Sequence, residues 1–423
     1  MGLVRKTCQS QARPSLANMS LRQGAASHPN AFSILDQPNM VGTRILLASY
    51  YCPTSAHAGG LRILDMYRLI RARFPSAHLD LYTCRHPGID GAYKDAEDIF
   101  DNIYYSTTTD IAPSGLVSNY HTCPHYDVID LQFHQTARHI EAYRSLGTKV
   151  LFTPMESLVH AFLIEIKNVI QWKKRLSFKR IAGAMKQAVE EIVVCHKADE
   201  VICVSPSDAA ILRTISRSKN ITSIETGISS TEFPEAFANI ATPSLEAKDN
   251  IIIFVAYFGS ETNIAALHWY IDKVHPRIKT KVTNYTLWVV GRGDLSTFRG
   301  SDESIEIIGE VPFLGSSICQ AKVGIAPALS GSGFRGKVNQ YAIFGVPSVI
   351  SPIAAMGLAY ENGVDAFVAE SPENFADRCI SLLLDSDLNM AMGRKARQTA
   401  LSHYSWESRL GAIKQAYRLE ELP

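Results

Sequence analysis

Short apolar runs alternate with stretches of helical periodicity along nearly the whole of this chain, and that alternation limits its fold more than any single motif. In the first half, the runs at 44–50 (RILLASY), 79–83, 128–133, 149–153, 200–204 (EVICV) and 222–227 read as strands. Helical stretches at 61–74, 135–146 and 209–215 lie between them. In the second half the strands are 250–256 (NIIIFVA), 285–290, 305–308, 323–327, 347–350 and 366–369. Ile264, Leu267, Ile271, Val274 and Ile278 recur at 3-4-3-4 spacing, which is one face of a helix. Ser205-Pro206-Ser207-Asp208 has the capping-box pattern ahead of the 209–215 helix. Ser371-Pro372 offers an N-cap and a first-turn proline for a helix at 372–384. The alternation predicts an α/β chain with two doubly wound parallel sheets, one per half. Ligands of such sheets sit beyond the carboxyl ends of the strands, so two facing domains make a cleft.

A length of 423 residues suits two domains. The expected division is 41–228 for the first sheet, 229–249 for a linker holding Pro234 and Pro243, and 250–400 for the second sheet. Residues 401–423 are expected to form a C-terminal helix that packs back on the first domain. Residues 1–40 carry Arg5, Lys6, Arg13 and Arg22 against the single acid Asp36. They are expected to be a disordered tail, or to precede a true start at Met40. A net charge of +1 gives no global field for nucleic acid. None of the 8 cysteines forms a CxxC pair, so they read as reduced core thiols of an intracellular protein, with no disulfide framework and no zinc site. No apolar stretch approaches the length of a membrane span.

Function points to Gly331-Ser332-Gly333-Phe334-Arg335-Gly336-Lys337. An apolar strand precedes this loop, and a helix closed by Gly345 follows it. Strand, glycine loop and helix start together aim backbone N–H groups at a phosphate. Arg335 and Lys337 add two cations. The spacing nearly matches a P-loop, but Val338 stands where that motif needs a magnesium-holding Ser or Thr.

From about Arg44 to the end, the chain resembles the GT-B glycosyltransferases, two Rossmann-like domains across a cleft, and most of all glycosyltransferase family 4. In the second half the resemblance lies in FVAYFGSETNIAALHWYIDKVHPRI, LWVVGRGD and IEIIGEVPFLGSSICQAKVGIAPALSGSGFRGKVNQYAIFGVPSVIS. In the first half it lies in ILLASYYCPTSAHAGGLRI and ADEVICVSPSDAAIL. The resemblance implies an acceptor-binding first domain and a nucleotide-sugar-binding second domain. It also implies transfer of a sugar with retention of configuration, with no cofactor and no metal. Arg335 and Lys337 would then stabilise the departing diphosphate. Donor contacts would come from Gly259, Gly291, Gly331, Ser332, Gly333, Phe334 and Gln340. Gly59, Gly60 and Arg62 would form a glycine loop near the donor phosphates. His134 and Glu156 are the acceptor-side candidates for chemistry, Glu156 also being a possible helix N-terminal acid.

The chain departs from the family at four places. The family's E-x7-E pair falls on Ser332 and Gln340, a frequent His on Met155, and a frequent acid on Met356. A GT-B epimerase or phosphorylase, and a non-catalytic nucleotide-binding protein, therefore stay open beside the transferase. The acceptor is expected to be a carbohydrate or a lipid-linked molecule, used in making a cell-surface polysaccharide or glycolipid. Residues 167–186 carry seven Lys and Arg, no acid, and Trp172 and Phe178 between them. Such a segment can lie on an anionic membrane, so a cytoplasmic enzyme in peripheral contact with the inner membrane face is expected.

Overall fold

The computed structural model describes residues 42–55, 58–86, 93–117, 124–172, 178–230, 233–237, 249–300, 302–330 and 336–420. The expectation for residues 1–40 lies outside them. Residues 41–423 belong to one compact unit.

The first sheet contains β1 (Arg44–Ser49), β2 (His78–Cys84), β3 (Asn102–Ser106), β4 (Tyr126–Gln132), β5 (Gly147–Thr153), β6 (Glu200–Cys203) and β7 (Ile221–Ser223). Its order is β3-β2-β1-β4-β5-β6-β7, parallel throughout. The second sheet contains β8 (Asn250–Val255), β9 (Tyr285–Val290), β10 (Ile305–Gly309), β11 (Val323–Ala326), β12 (Ser348–Ile350) and β13 (Phe367–Val368). Its order is β10-β9-β8-β11-β12-β13, again parallel. Central strands covered on both faces read as continuous apolar runs. Ile45, Leu46, Leu47 and Ala48 of β1 are accordingly all fully buried. Strand order reverses between β1 and β4 and between β8 and β11, which opens a crevice at the carboxyl end of each pair.

Ile228 and Ser405 form a parallel bridge where the chain leaves the first domain and where it returns. The Ile228 N–H donates to the Tyr404 carbonyl at 2.7 Å. Phe233 and Ala236, in the segment expected as linker, are buried in the core of the second domain. The Ser386–Tyr404 helix packs on that domain through Met392, Ala396 and Ala400. Trp406, Ile413, Ala416, Tyr417 and Leu419 then join the core of the first.

Three local expectations change. β3 was not foreseen. The 135–146 helix is two short ones, His134–Ala137 and Ile140–Arg144. The capping box does not form: Ser205 is the N-cap but makes no side-chain cap bond, and its hydroxyl pairs with Ser207 at 2.6 Å. Asp208 is drawn away by a non-local partner, the imidazole of His160, at 2.5 Å. Ser371 does cap its helix, accepting from the Asn374 N–H at 3.1 Å.

Candidate active site

Residues Gly331, Ser332, Gly333, Phe334 and Arg335 lie outside the described residues. The helix Gly336–Ile343 follows them directly, and Lys337 is its second residue. The Lys337 ammonium sits 4.8 Å from the Phe254 ring centroid and 3.5 Å from Asn263 Oδ1. This places it in a cavity of about 270 Å³ at the β8/β11 crevice. Ala256, Ala266, Ala326 and Ala328 line the cavity, and their small side chains leave room for a ligand. Ala58, the first residue of the Ala58–Arg73 helix, lines it from the first domain. Gly59 and Gly60 follow Ala58 but do not line the cavity, so the first domain meets the Lys337 cavity through Ala58 alone among the described residues.

Packing shapes the crevice itself. β8 and β11 pair only through Val323–Ile252 and Gly324–Ile253. Beyond that point the Tyr341 hydroxyl enters between them. It accepts from the Val255 N–H at 2.9 Å and donates to the Ile325 carbonyl at 3.2 Å. The Tyr341 ring lies against Gly324, where a Cβ would fall 2.3 Å from it. Glycine is thus required on β11 for this strand separation. Val338, the residue that breaks the P-loop pattern, is fully buried.

The other donor-side candidates divide. Gln340 is half-buried one turn beyond Lys337, and its side chain makes no hydrogen bond to the described residues. Gly259 lies under Tyr257, whose ring would be 2.4 Å from a Cβ there. Gly291 has φ 138°, and a Cβ on it would fall 1.9 Å from the Ala256 carbonyl oxygen, so its role is close backbone packing beside the site. The sequence reading missed Tyr257, Thr262 and Asn263, which line the cavity. The available signal was their place after a strand at the switch point. Tyr257 is 62% exposed, an aromatic face open to a ligand. Ser260 provides no side-chain cap to the Glu261–Trp269 helix, which leaves a second helix start beside the cavity.

Arg62 needs correction. It does not reach the cavity. It is 2% exposed, donates to the Ile224 carbonyl at 2.7 Å, and lies 6.0 Å over the Trp406 ring. Its Nε and Nη1 have no hydrogen-bond partner among the described residues. Burial lowers its pKa, opposed by Tyr417, Asp130 and Glu225. Four residues into its helix, the side chain projects into the body of the domain. Asp130, fully buried nearby, accepts from Tyr67, Tyr417 and Gln132 at 2.9, 2.7 and 2.8 Å. Burial raises the pKa of its carboxyl.

His134 and Glu156 do come together, though through the backbone: His134 Nε2 lies 3.1 Å from the Glu156 carbonyl oxygen. Burial pushes the imidazole pKa down. The Glu156 side chain is exposed. The carboxylate at the start of the Leu158–Trp172 helix is instead Glu191, which accepts from the Ser157 hydroxyl at 3.0 Å and the Val159 N–H at 2.7 Å. Burial raises Glu191 to about 7. Among the described residues, no three His, Cys, Asp or Glu side chains converge to hold a metal. No helix there is long and apolar enough to cross a membrane.

Residues 249–385 match the protein family Glycosyl transferases group 1. The fold is similar to that of Anabaena HepE solved with UDP and glucose, at 14% identity and a TM-score of 0.62, over 89% of this chain and 99% of that one. It is also similar to sucrose-phosphate synthase of Thermosynechococcus elongatus, at 15% identity and a TM-score of 0.65, over 89% and 98%. A mutant of S. aureus TarM, solved with fondaparinux, alpha-GlcNAc-glycerol and UDP, gives 10% identity and a TM-score of 0.64, over 89% and 99%. The chain has a GT-B fold, and its second domain matches the glycosyl transferases group 1 family. No curated protein matches it by sequence. The family match lies on the second sheet, the domain that holds Lys337.

Proposed function

We propose that this glycosyltransferase moves a sugar from a nucleoside-diphosphate sugar to a hydroxyl of a carbohydrate or lipid-linked acceptor, with retention and without a bound metal. The observation that carries this reading is Lys337 at a helix start, inside a cavity shared by both domains. The acceptor oxygen bonds to the anomeric carbon as the bond from that carbon to the diphosphate oxygen breaks. With retention both events occur on one face, and the departing phosphate oxygen takes the acceptor proton. Lys337, Arg335, the loop amides of 331–336 and the helix start meet the charge that collects on the diphosphate. Gln340 bonds the ribose without charge assistance. His134 and Glu156 face the acceptor. UDP in the HepE and TarM structures makes a uridine donor the first to try.

The acceptor side is set against a membrane in this reading. Met185, Val189 and Val193 recur every fourth residue on the Phe178–Lys197 helix and are 53%, 53% and 46% exposed. Lys167, Lys179 and Lys186 are exposed around them. The rest of the basic cluster, Lys173, Lys174 and Arg175, lies outside the described residues. An apolar stripe with basic neighbours suits the anionic inner face of a cell membrane, where cell-surface polysaccharide or glycolipid is assembled.

The test is calorimetry and thermal shift with UDP, GDP, ADP, dTDP and CMP in metal-free buffer, on wild type and Arg335→Ala. Stabilisation by one diphosphate, lost in the variant, supports the reading. Binding that needs magnesium and ignores Arg335 overturns the mechanism. Binding with no turnover of any sugar nucleotide would instead favour a non-catalytic binding protein, in line with the absent Glu pair.

A further inference from the structure

Glu191 carries a buried oxygen without a hydrogen-bond partner among the described residues. Its side chain projects from the Phe178–Lys197 helix and is 1% exposed. Ser157 and the Val159 N–H hold Oε2, which fixes the plane of the carboxyl. Oε1 has no hydrogen-bond partner among the described residues and lies 3.6 Å from His134 Nε2. Capping the Leu158–Trp172 helix needs only Oε2, and a buried polar atom left unpaired is costly enough to need a reason.

The backbone leading to His134 is also strained. Phe133 has φ 70° and ψ 153°, a region that essentially only glycine visits. The strain is held in place by its neighbours. The Phe133 N–H donates to the Thr153 carbonyl at 3.1 Å, and its ring meets Tyr51 edge-on at 5.1 Å. Thr136, in the same turn, accepts from the Tyr50 N–H at 3.0 Å and ties the turn to the segment leading to Gly59. Strain of this kind clusters at functional sites. Here it stands at the carboxyl end of β4, beside β1, at the switch point of the first sheet.

We infer that Glu191 and Phe133 are positioning residues: they hold His134 as the Nε2–H tautomer, leaving Nδ1 as a lone-pair acceptor for a hydroxyl of the sugar acceptor. A carbonyl oxygen can only accept, so the Glu156 contact assigns the hydrogen to Nε2. Oε1 of Glu191 reinforces that choice. Nδ1 has no partner among the described residues, and the side chain is 24% exposed. Burial keeps the ring neutral by disfavouring imidazolium. Asp208, from the Pro206–Ser216 helix, faces Glu191 and is itself held by His160. The existence of a sugar acceptor rests on the transfer reading above; the tautomer does not.

Long-range ¹H–¹⁵N NMR on histidine-labelled protein tests this, with His134 assigned by its loss in His134→Asn. Wild type should show a neutral Nε2–H ring at pH 7, a result that needs no variant to fold. Glycerol or glucose, added as hydroxyl probes, should move the Nδ1 resonance upfield. Glu191→Ala and Phe133→Ala, which removes the ring that holds the strained turn, should each admit the other tautomer and lose the response to the probes. An Nδ1–H ring or an imidazolium in wild type would overturn the inference. So would a resonance indifferent to both probes, or a tautomer unchanged in both variants. Calorimetry with the nucleoside diphosphates on Glu191→Ala should match wild type. If no diphosphate binds wild type, the transfer reading falls while the tautomer result still stands.

Discussion

Lys337 and Arg62 follow glycine loops on opposite domains, and the fold uses them in opposite ways. Lys337 is the second residue of its helix and reaches a cavity. Arg62 is the fifth residue of its helix, about 5 Å further along the axis at 1.5 Å per residue, and is buried against Trp406. Depth from the helix start therefore decides whether a cation meets a ligand or the core. The contrast extends to the two domains. Among the described residues, the carboxyls whose pKa is raised by burial are Asp65, Asp130 and Glu191, all in the first domain. In the second domain Asp302, Asp294 and Glu373 are held low by hydrogen bonds, led by Lys279 for Asp302. The three raised carboxyls of the first domain are buried in its interior, whereas these three of the second lie at or near its surface.

The largest expected effect that would sharpen this contrast is on stability. Arg62→Ala should lower the unfolding free energy by about 3–5 kcal/mol, since it removes one member of a buried ionisable cluster. Lys337→Ala should change it by no more than about 0.5 kcal/mol. Urea titration of both variants checks this, and an Arg62→Ala protein as stable as wild type would break the contrast.

Next comes pH. The Glu191 carboxyl is raised from 4.5 to about 7 in the folded chain, so folding takes up a proton between those values. Its stabilisation is therefore largest at the acid end and is lost as pH rises from about 4.5 to about 7, by about 3 kcal/mol at 1.36 kcal/mol per unit. Asp65, raised to about 6, acts with the same sign. Glu191→Gln should flatten the pH dependence of the melting temperature in that window, and an unchanged slope would count against a buried, raised carboxyl. The smallest effect belongs to the second domain. Gly291→Ala should cost about 1–3 kcal/mol through its positive φ and the clash with Ala256, without altering the pH slope.

Twelve of the strands were legible as apolar runs, the central ones because they are buried on both faces. β3 (NIYYS) was not, since it is an edge strand only half-buried along its length. The glycine pair and Lys337 could be read because glycine loops and helix starts are local devices. The Arg62 misreading, the missing capping box and the silence on Glu191 share one cause. Each depends on partners far along the chain: Ile224 and Trp406 for Arg62, His160 for Asp208, and Ser157 and His134 for Glu191. No local pattern encodes such pairings. Tyr257 was missed for a different reason, as an ordinary aromatic whose exposure only the fold reveals.

The central claim is that Lys337 stabilises the departing diphosphate without a metal. The most direct test is steady-state turnover of a sugar nucleotide in EDTA by wild type and Lys337→Ala. The account predicts full wild-type activity in EDTA and a fall in kcat on the order of a hundred- to a thousandfold in the variant, at unchanged melting temperature. Wild-type turnover abolished by EDTA, or a variant as fast as wild type, would contradict it.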